Sequence, residues 1–153
     1  MRKIKSAMSK TLVVVKEDAT FQEATAIFSA SGRADLDVVN EAGEFVGVIS
    51  EGDLIRYAIP NFDQLILGEN PSMEEINKLF LQSGRINAKS KITPLIIYDP
   101  ITLSPEDELL KAAIPMVEKQ IRSLPVLSAE GKLVGRLTRA DICVALLADD
   151  GDV

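Results

Sequence analysis

The chain has no histidine, no tryptophan and one cysteine, and only 5% of its 153 residues are aromatic. Without histidine, the commonest zinc ligand and the ordinary proton carrier near neutral pH are missing. A Ser-His or Cys-His catalytic pair is excluded, and no carboxylates cluster at ligand spacing to hold a metal instead. Cys143 has no intrachain partner for a disulfide and sits in the apolar run Ile142 to Leu147, where it is expected to pack as a small hydrophobe. Positive charge is also short: the net charge of −6 offers no general attraction to nucleic acid or anionic lipid, so any phosphate bound here must meet a local basic group. No apolar run approaches the ~20 residues that span a bilayer. Met1-Arg2-Lys3-Ile4-Lys5 is charged and is not followed by the apolar segment of a signal peptide, so a cytoplasmic protein without a membrane partner is expected.

What remains is the balance of a soluble globular domain, 46% apolar and 26% charged, with one internal regularity. GVISEGD, Gly47 to Asp53, returns 88 residues later as GRLTRAD, Gly135 to Asp141. The same offset holds without a gap from about Met8 to Ala58. It gives the identities Ala24/Ala112, Leu36/Leu124, Val38/Val126, Gly43/Gly131, Val46/Val134, Gly47/Gly135 and Asp53/Asp141, with like-for-like exchanges such as Val15/Leu103 and Ile49/Leu137. The chain is therefore two equivalent halves of about 55 residues and a linker.

Each half reads as strand, helix, strand, strand, helix. In the first, Leu12 to Val15 fits a buried strand, and Thr20-x-x-Glu23 opens a helix with Phe21, Ala24, Ile27 and Phe28 at helical spacing that ends at Ser31-Gly32. Leu36 to Val39 and Phe45 to Ile49 are strands about a turn at Gly43, and Ser50 caps a helix running to about Ile59 before Pro60. The second half repeats this with a strand Pro100 to Ser104, a helix from about Asp107 to Gln120 kinked by Pro115, strands Leu124 to Leu127 and Leu133 to Leu137, and a helix opened by Thr138. Between them, Ser72-x-x-Glu75 opens a helix with Met73, Ile76, Leu79 and Phe80 on one face and Gly84 past its end. Two roles stand open for it, a connecting helix over the core and a lid or partner-docking helix. The expected boundaries are 1–60 for the first repeat, 61–91 for the connecting segment, 92–148 for the second repeat and a frayed acidic tail at 149–153.

The duplicated junction has a physical reading. Glycine lets backbone bend or approach a neighbour closely, the hydroxyl of Ser50 or Thr138 caps the new helix, and the aspartate follows one turn later on the same side. A carboxylate there accepts two hydrogen bonds and can hold a vicinal diol such as that of a ribose. An isolated copy would read as a helix cap with an acid favoured by the helix dipole. Two copies in register favour the diol.

These residues resemble tandem cystathionine β-synthase-type (CBS) domains, together a Bateman module. The openings VVVKEDATFQEA and ITLSPEDELLKAA carry the resemblance, with the closing RSLPVLSAEGKLVGRLTRADI and the paired G-x-x-[ST]-x-x-D junctions. It implies an α/β fold of two pseudo-symmetric βαββα repeats packed sheet to sheet. It further implies binding of AMP, ADP, ATP or S-adenosylmethionine in clefts between repeats, a homodimer, and sensing in place of catalysis, with no catalytic residue, metal or required cofactor. Carried over by position, one site would combine Ser50 and Asp53 with Ile101, Thr102, Arg122 and Ser123. The other would combine Thr138 and Asp141 with Val13, Val14, Ala34 and Asp35, and Arg139 is a further candidate.

The two sites differ in charge. Arg122 offers a guanidinium that can grip phosphate with two hydrogen bonds, against the plainer reading of a solvated arginine before a strand. Ala34, Asp35 and Asp37 stand where the second half has Arg122, Ser123 and Pro125, so Leu-Asp-Val replaces Leu-Pro-Val. The site with Ser50, Asp53 and Arg122 is therefore the expected phosphate site, and the other should prefer an uncharged tail or stay empty. An effector is expected to be a separate chain or the homodimer itself, and nucleic acid is not an expected partner. The alternative is a scaffold with empty pockets that acts through protein contacts. An α/β enzyme would need a nucleophile, base or metal set that is not found in the sequence.

Overall fold

The computed structural model describes residues 2–58, 72–78, 81 and 88–148. The first repeat forms β1 (Val14–Lys16), α1 (Phe21–Ser31), β2 (Asp35–Val39), β3 (Phe45–Ser50) and α2 (Glu51–Ala58). A short helix α3 covers residues 73–78, and Ser72 Oγ accepts from the Glu75 N–H at 3.2 Å. The second repeat forms α4 (Leu109–Glu118), β4 (Ser123–Leu127), β5 (Leu133–Thr138) and α5 (Arg139–Leu147). Ile59, Pro60, Leu79, Phe80, Gly84 and the tail 149–153 lie outside the described residues.

The chain divides into two compact units. One comprises Met1–Val13, Gly43–Phe45 and Asp99–Val153, the other Val14–Ala42 and Val46–Tyr98. Strand order is β1-β2-β3 in one sheet and β4-β5 in the other. Val15 pairs with Val38 in the parallel β1-β2 ladder, and the same relation returns as a parallel bridge between Leu103 and Val126. The predicted strand Pro100 to Ser104 shrinks to that bridge. Pro125 has no N–H to donate, so the contact rests on Leu103 N–H to Pro125 O at 2.9 Å and Leu127 N–H to Leu103 O at 2.8 Å.

Local signals produce the helix ends. Thr20 Oγ1 accepts from the Glu23 N–H at 3.2 Å to start α1, and Gly32, at φ 66°, donates its N–H to Phe28 O to close it. The helix predicted from Asp107 begins instead at Leu109, because the Asp107 carboxylate accepts from the Ser104 N–H at 2.8 Å and holds a turn before it. α4 continues through Pro115 to Glu118. Cys143 is exposed, against the expectation that it would be buried. Ile142 and Ala145, three residues apart, face the core, which turns Cys143 outward.

Both units build their cores from equivalent positions. In the unit that holds the second repeat's elements, Leu103, Leu109, Ala112, Met116, Leu124, Val126, Leu137 and Ile142 cluster together with Ile4, a residue that precedes the first repeat's strands. In the unit that holds the first repeat's elements the equivalent of Ile4 is Ile92, and both are fully buried. Each burial of this size contributes about 1.5–3 kcal/mol.

The leading segments are thus exchanged. The segment before β1 docks in the second repeat's unit: Ile4 N–H donates to Asp107 O, and Ser9 and Arg136 exchange two backbone bonds of 2.9 Å. The segment that precedes the second repeat docks in the first repeat's unit. Ile92 N–H donates to Ala19 O at 3.0 Å, and Ile97 and Val48 exchange bonds of 2.9 and 3.0 Å. Every one of these contacts recurs at the repeat offset.

Candidate ligand-binding junctions

At the first junction, β3 runs directly into α2. Gly47 lies so close to the docked leader that a Cβ there would collide with the Ile97 carbonyl oxygen and the Ile96 side chain. Here glycine is required by close approach. Ser50 Oγ then accepts from the Asp53 N–H at 3.2 Å, and Asp53 Oδ1 lies 3.4 Å from Arg56 Nη1, three residues further along the helix. The Glu51 N–H donates to Ala34 O at 2.9 Å, which ties the end of β3 to the start of β2. Beside this helix opens a cavity of ≈ 410 Å³, lined by Asp53, Arg56 and Tyr57 on one side and by Pro94, Ile96 and Ile97 of the leader on the other.

The second junction has the same plan with different chemistry. A Cβ on Gly135 would stand 2.7 Å from Ser9 O and 2.8 Å from Met8 Sδ. Thr138 and Asp141 form a reciprocal capping box. The Arg139 N–H donates to Arg122 O at 3.2 Å, Ser123 pairs with Thr138 in the β4-β5 ladder, and buried Arg136 donates from Nε to Ser123 Oγ at 3.0 Å. A cavity of ≈ 270 Å³ borders Asp141, Val144 and Ala145, with Arg2, Ser6 and Ala7 opposite. The Arg2 guanidinium donates to Ala145 O at 2.7 Å and Ala148 O at 3.2 Å, placing a cation at the C-terminal end of α5 where the helix dipole favours it.

The residues singled out from the sequence fall into two groups. Ser50, Asp53, Ala34, Asp35 and Val14 belong to one unit, and Ile101, Thr102, Arg122, Ser123, Thr138, Arg139, Asp141 and Val13 to the other. The pairing of Ser50 and Asp53 with Arg122 read from the sequence joins residues of different units. Within each unit, backbone bonds bring Ala34 to the Ser50 junction and Arg122 with Ser123 to the Thr138 junction. Ile101, Arg122 and Arg139 are exposed; Thr102, Ser123, Thr138 and Asp141 are half-buried. Sequence reasoning missed the leader residues and the i+3 and i+4 partners of Asp53. The signal was available: the repeat offset reaches back past Met8 to pair Ile4 with Ile92. Among the described residues no cluster could hold a metal ion, and no helix is long and apolar enough to cross a membrane.

Comparison with known proteins agrees with this duplicated plan. The family model described as CBS domain matches residues 4–60 and again 92–148. An uncharacterised protein of Methanocaldococcus jannaschii is 29% identical over 94% of this chain and 90% of its own length. The crystal structure of CBSX2 in complex with AMP superposes with a TM-score of 0.70 at 25% identity, covering 95% of this chain and 96% of that one, and CBSX2 comes from Arabidopsis thaliana. The CBS domain pair of the protein MJ0100, crystallised with 5-methylthioadenosine and S-adenosyl-L-methionine, has a TM-score of 0.68 at 20% identity over 95% of this chain and 99% of that one. Some proteins of this fold are longer, and the chain spans 59% of one solved M. jannaschii protein. With both matches in tandem and the fold in agreement, the chain belongs to the CBS domain family, as a CBS pair.

Proposed function

We propose that this chain is a regulatory, non-catalytic module that binds an adenosine-containing ligand at its junctions and passes the resulting change in conformation to a partner. The observation that carries this reading is the placing of both junction aspartates, each in the first turn of its helix and each at the wall of a cavity. The volume beside Asp53 falls within the ~300–1,000 Å³ of small-molecule sites. The ligands in CBSX2 and in the MJ0100 pair support an adenosine compound. We assign the ribose diol to Asp53 or Asp141 beside the hydroxyls of Ser50 or Thr138. The remaining contacts are assigned to Val13, Val14, Ala34, Ile101, Thr102, Arg122, Ser123 and Arg139. A ligand shifts the conformation only by its differential affinity for two arrangements.

A protein-contact role is favoured by one observation of its own. Leu110, Ile114 and Val117 form an exposed apolar stripe along α4, and Val144, Leu146 and Leu147 are exposed on α5. These faces suit a homodimer or a separate effector chain.

Calorimetric titration with AMP, ATP, S-adenosylmethionine and NAD, beside Asp53→Ala and Asp141→Ala, tests the sensor reading. Saturable binding that one variant loses supports it and assigns the site. No binding to any of the four overturns it in favour of a scaffold that acts through protein contacts. Arg122→Ala in the same titration should weaken AMP; unchanged affinity removes Arg122 from the phosphate site.

A further inference from the structure

The two cavities occupy the same place in their repeats. Asp53 corresponds to Asp141, Arg56 to Val144, Tyr57 to Ala145 and Pro94 to Ser6, all at the repeat offset. Equivalent backbone therefore presents one carboxylate in both cavities but a guanidinium and a phenol ring in only one. Asp53, Arg56 and Tyr57 stand at i, i+3 and i+4 along α2, a spacing that puts all three on one helical face. The Arg56 side chain is 62% exposed and its contact with Asp53 is long, 3.4 Å, so little holds it there. A guanidinium in that position can turn from the carboxylate to a ligand anion.

Asp53 alone would repel a phosphate brought into the same cavity, unless a cation stood between them. Arg56 is that cation, while Tyr57, tilted against Phe21 with ring centroids 6.4 Å apart, supplies an aromatic wall suited to a base. In the second cavity, Val144 and Ala145 supply neither group. The cation there, Arg2, is already bonded to the carbonyls of Ala145 in α5 and of Ala148 just past its end.

Resting on the proposed adenosine-binding reading, we infer that Arg56 selects for a phosphate-bearing adenosine ligand at the first-repeat cavity. The second-repeat cavity, whose lining cation Arg2 is held on the carbonyls of Ala145 and Ala148, does not distinguish a nucleotide from its nucleoside. Specificity between the sites is written on the exposed helical face after the aspartate, three residues beyond it.

The test is titration of the full chain and of Arg56→Ala with AMP and, separately, with adenosine. Thermal unfolding checks that the exposed substitution leaves the fold intact. The expected result is a loss of about tenfold or more in AMP affinity with adenosine affinity changed less than about twofold, the size of one charged hydrogen-bonded contact. Equal losses for the two ligands, or none for either, would overturn the inference while leaving adenosine binding in place. Wild-type protein that binds neither compound would overturn the underlying reading instead.

Discussion

Thr138 and Asp141 hold each other from both sides. The Asp141 N–H donates to Thr138 Oγ1 at 3.0 Å, and the Thr138 N–H donates to Asp141 Oδ2 at 2.8 Å. In the first repeat, Ser50 accepts from the Asp53 N–H in the same way, but the Asp53 carboxylate is turned toward Arg56.

The two aspartates should therefore differ in what they do for the empty protein. Asp141→Ala removes half of a capping box and should cost about 1 kcal/mol, whereas Asp53→Ala removes an exposed ion pair and should cost about 0.5 kcal/mol or less. Urea unfolding without ligand would measure both. Equal costs would mean that the reciprocal box contributes nothing beyond the shared hydroxyl cap.

Gly47 and Gly135 are predicted to be intolerant of a methyl group because each faces a backbone carbonyl of a docked leader, Ile97 O or Ser9 O. Gly47→Ala and Gly135→Ala should each lose about 1–3 kcal/mol. Gly52 is the control. It lies in α2 with its nearest neighbours at 3.9 Å, so Gly52→Ala should gain about 0.5–1 kcal/mol from helix propensity.

Gln120 has φ 55°, at the position equivalent to Gly32 with φ 66°. A side chain in the left-handed region carries a backbone penalty that glycine avoids, so Gln120→Gly should stabilise the protein by about 0.5–1 kcal/mol. The offsetting entropy of glycine in the unfolded chain sets the lower end of that range. A fall in melting temperature would contradict the prediction.

Asp107 gives a pH signature. The Ser104 N–H bonded to its carboxylate, and then the ammonium of Lys111 at 3.0 Å, lower its pKa from the ordinary 3.8. A folded-state pKa below the unfolded one adds stability above the unfolded value and loses it as pH falls through the folded value. Asp107→Asn should therefore cost about 1 kcal/mol at neutral pH and progressively less as pH falls from neutral to below the ordinary carboxylate value of 3.8. Denaturant midpoints of both proteins across that range would show the gap closing, and a constant gap would refute the linkage.

Local chemistry made much of this protein readable before any fold was known. The repeat shows in the sequence as one offset of 88 residues, and the caps at Thr20, Ser50 and Thr138, the turn at Gly43 and the apolar runs of β4 and β5 each depend on residues a few positions apart, so neighbouring side chains determine them. Even the reason for Gly47, close approach of backbone, follows from its lack of a Cβ. Which backbone approaches was decided by the tertiary structure, because the leader that meets Gly47 comes from Ile96 and Ile97, about 50 residues away in the chain. The same holds for the shortened strand at Leu103, whose ladder depends on a proline in β4, and for Cys143, whose side is set by the core that Ile142 and Ala145 face. Arg56 and Tyr57 carried no signal of their own beside a helix cap. They acquired one only when an exchanged segment closed a cavity over the face of α2 they share.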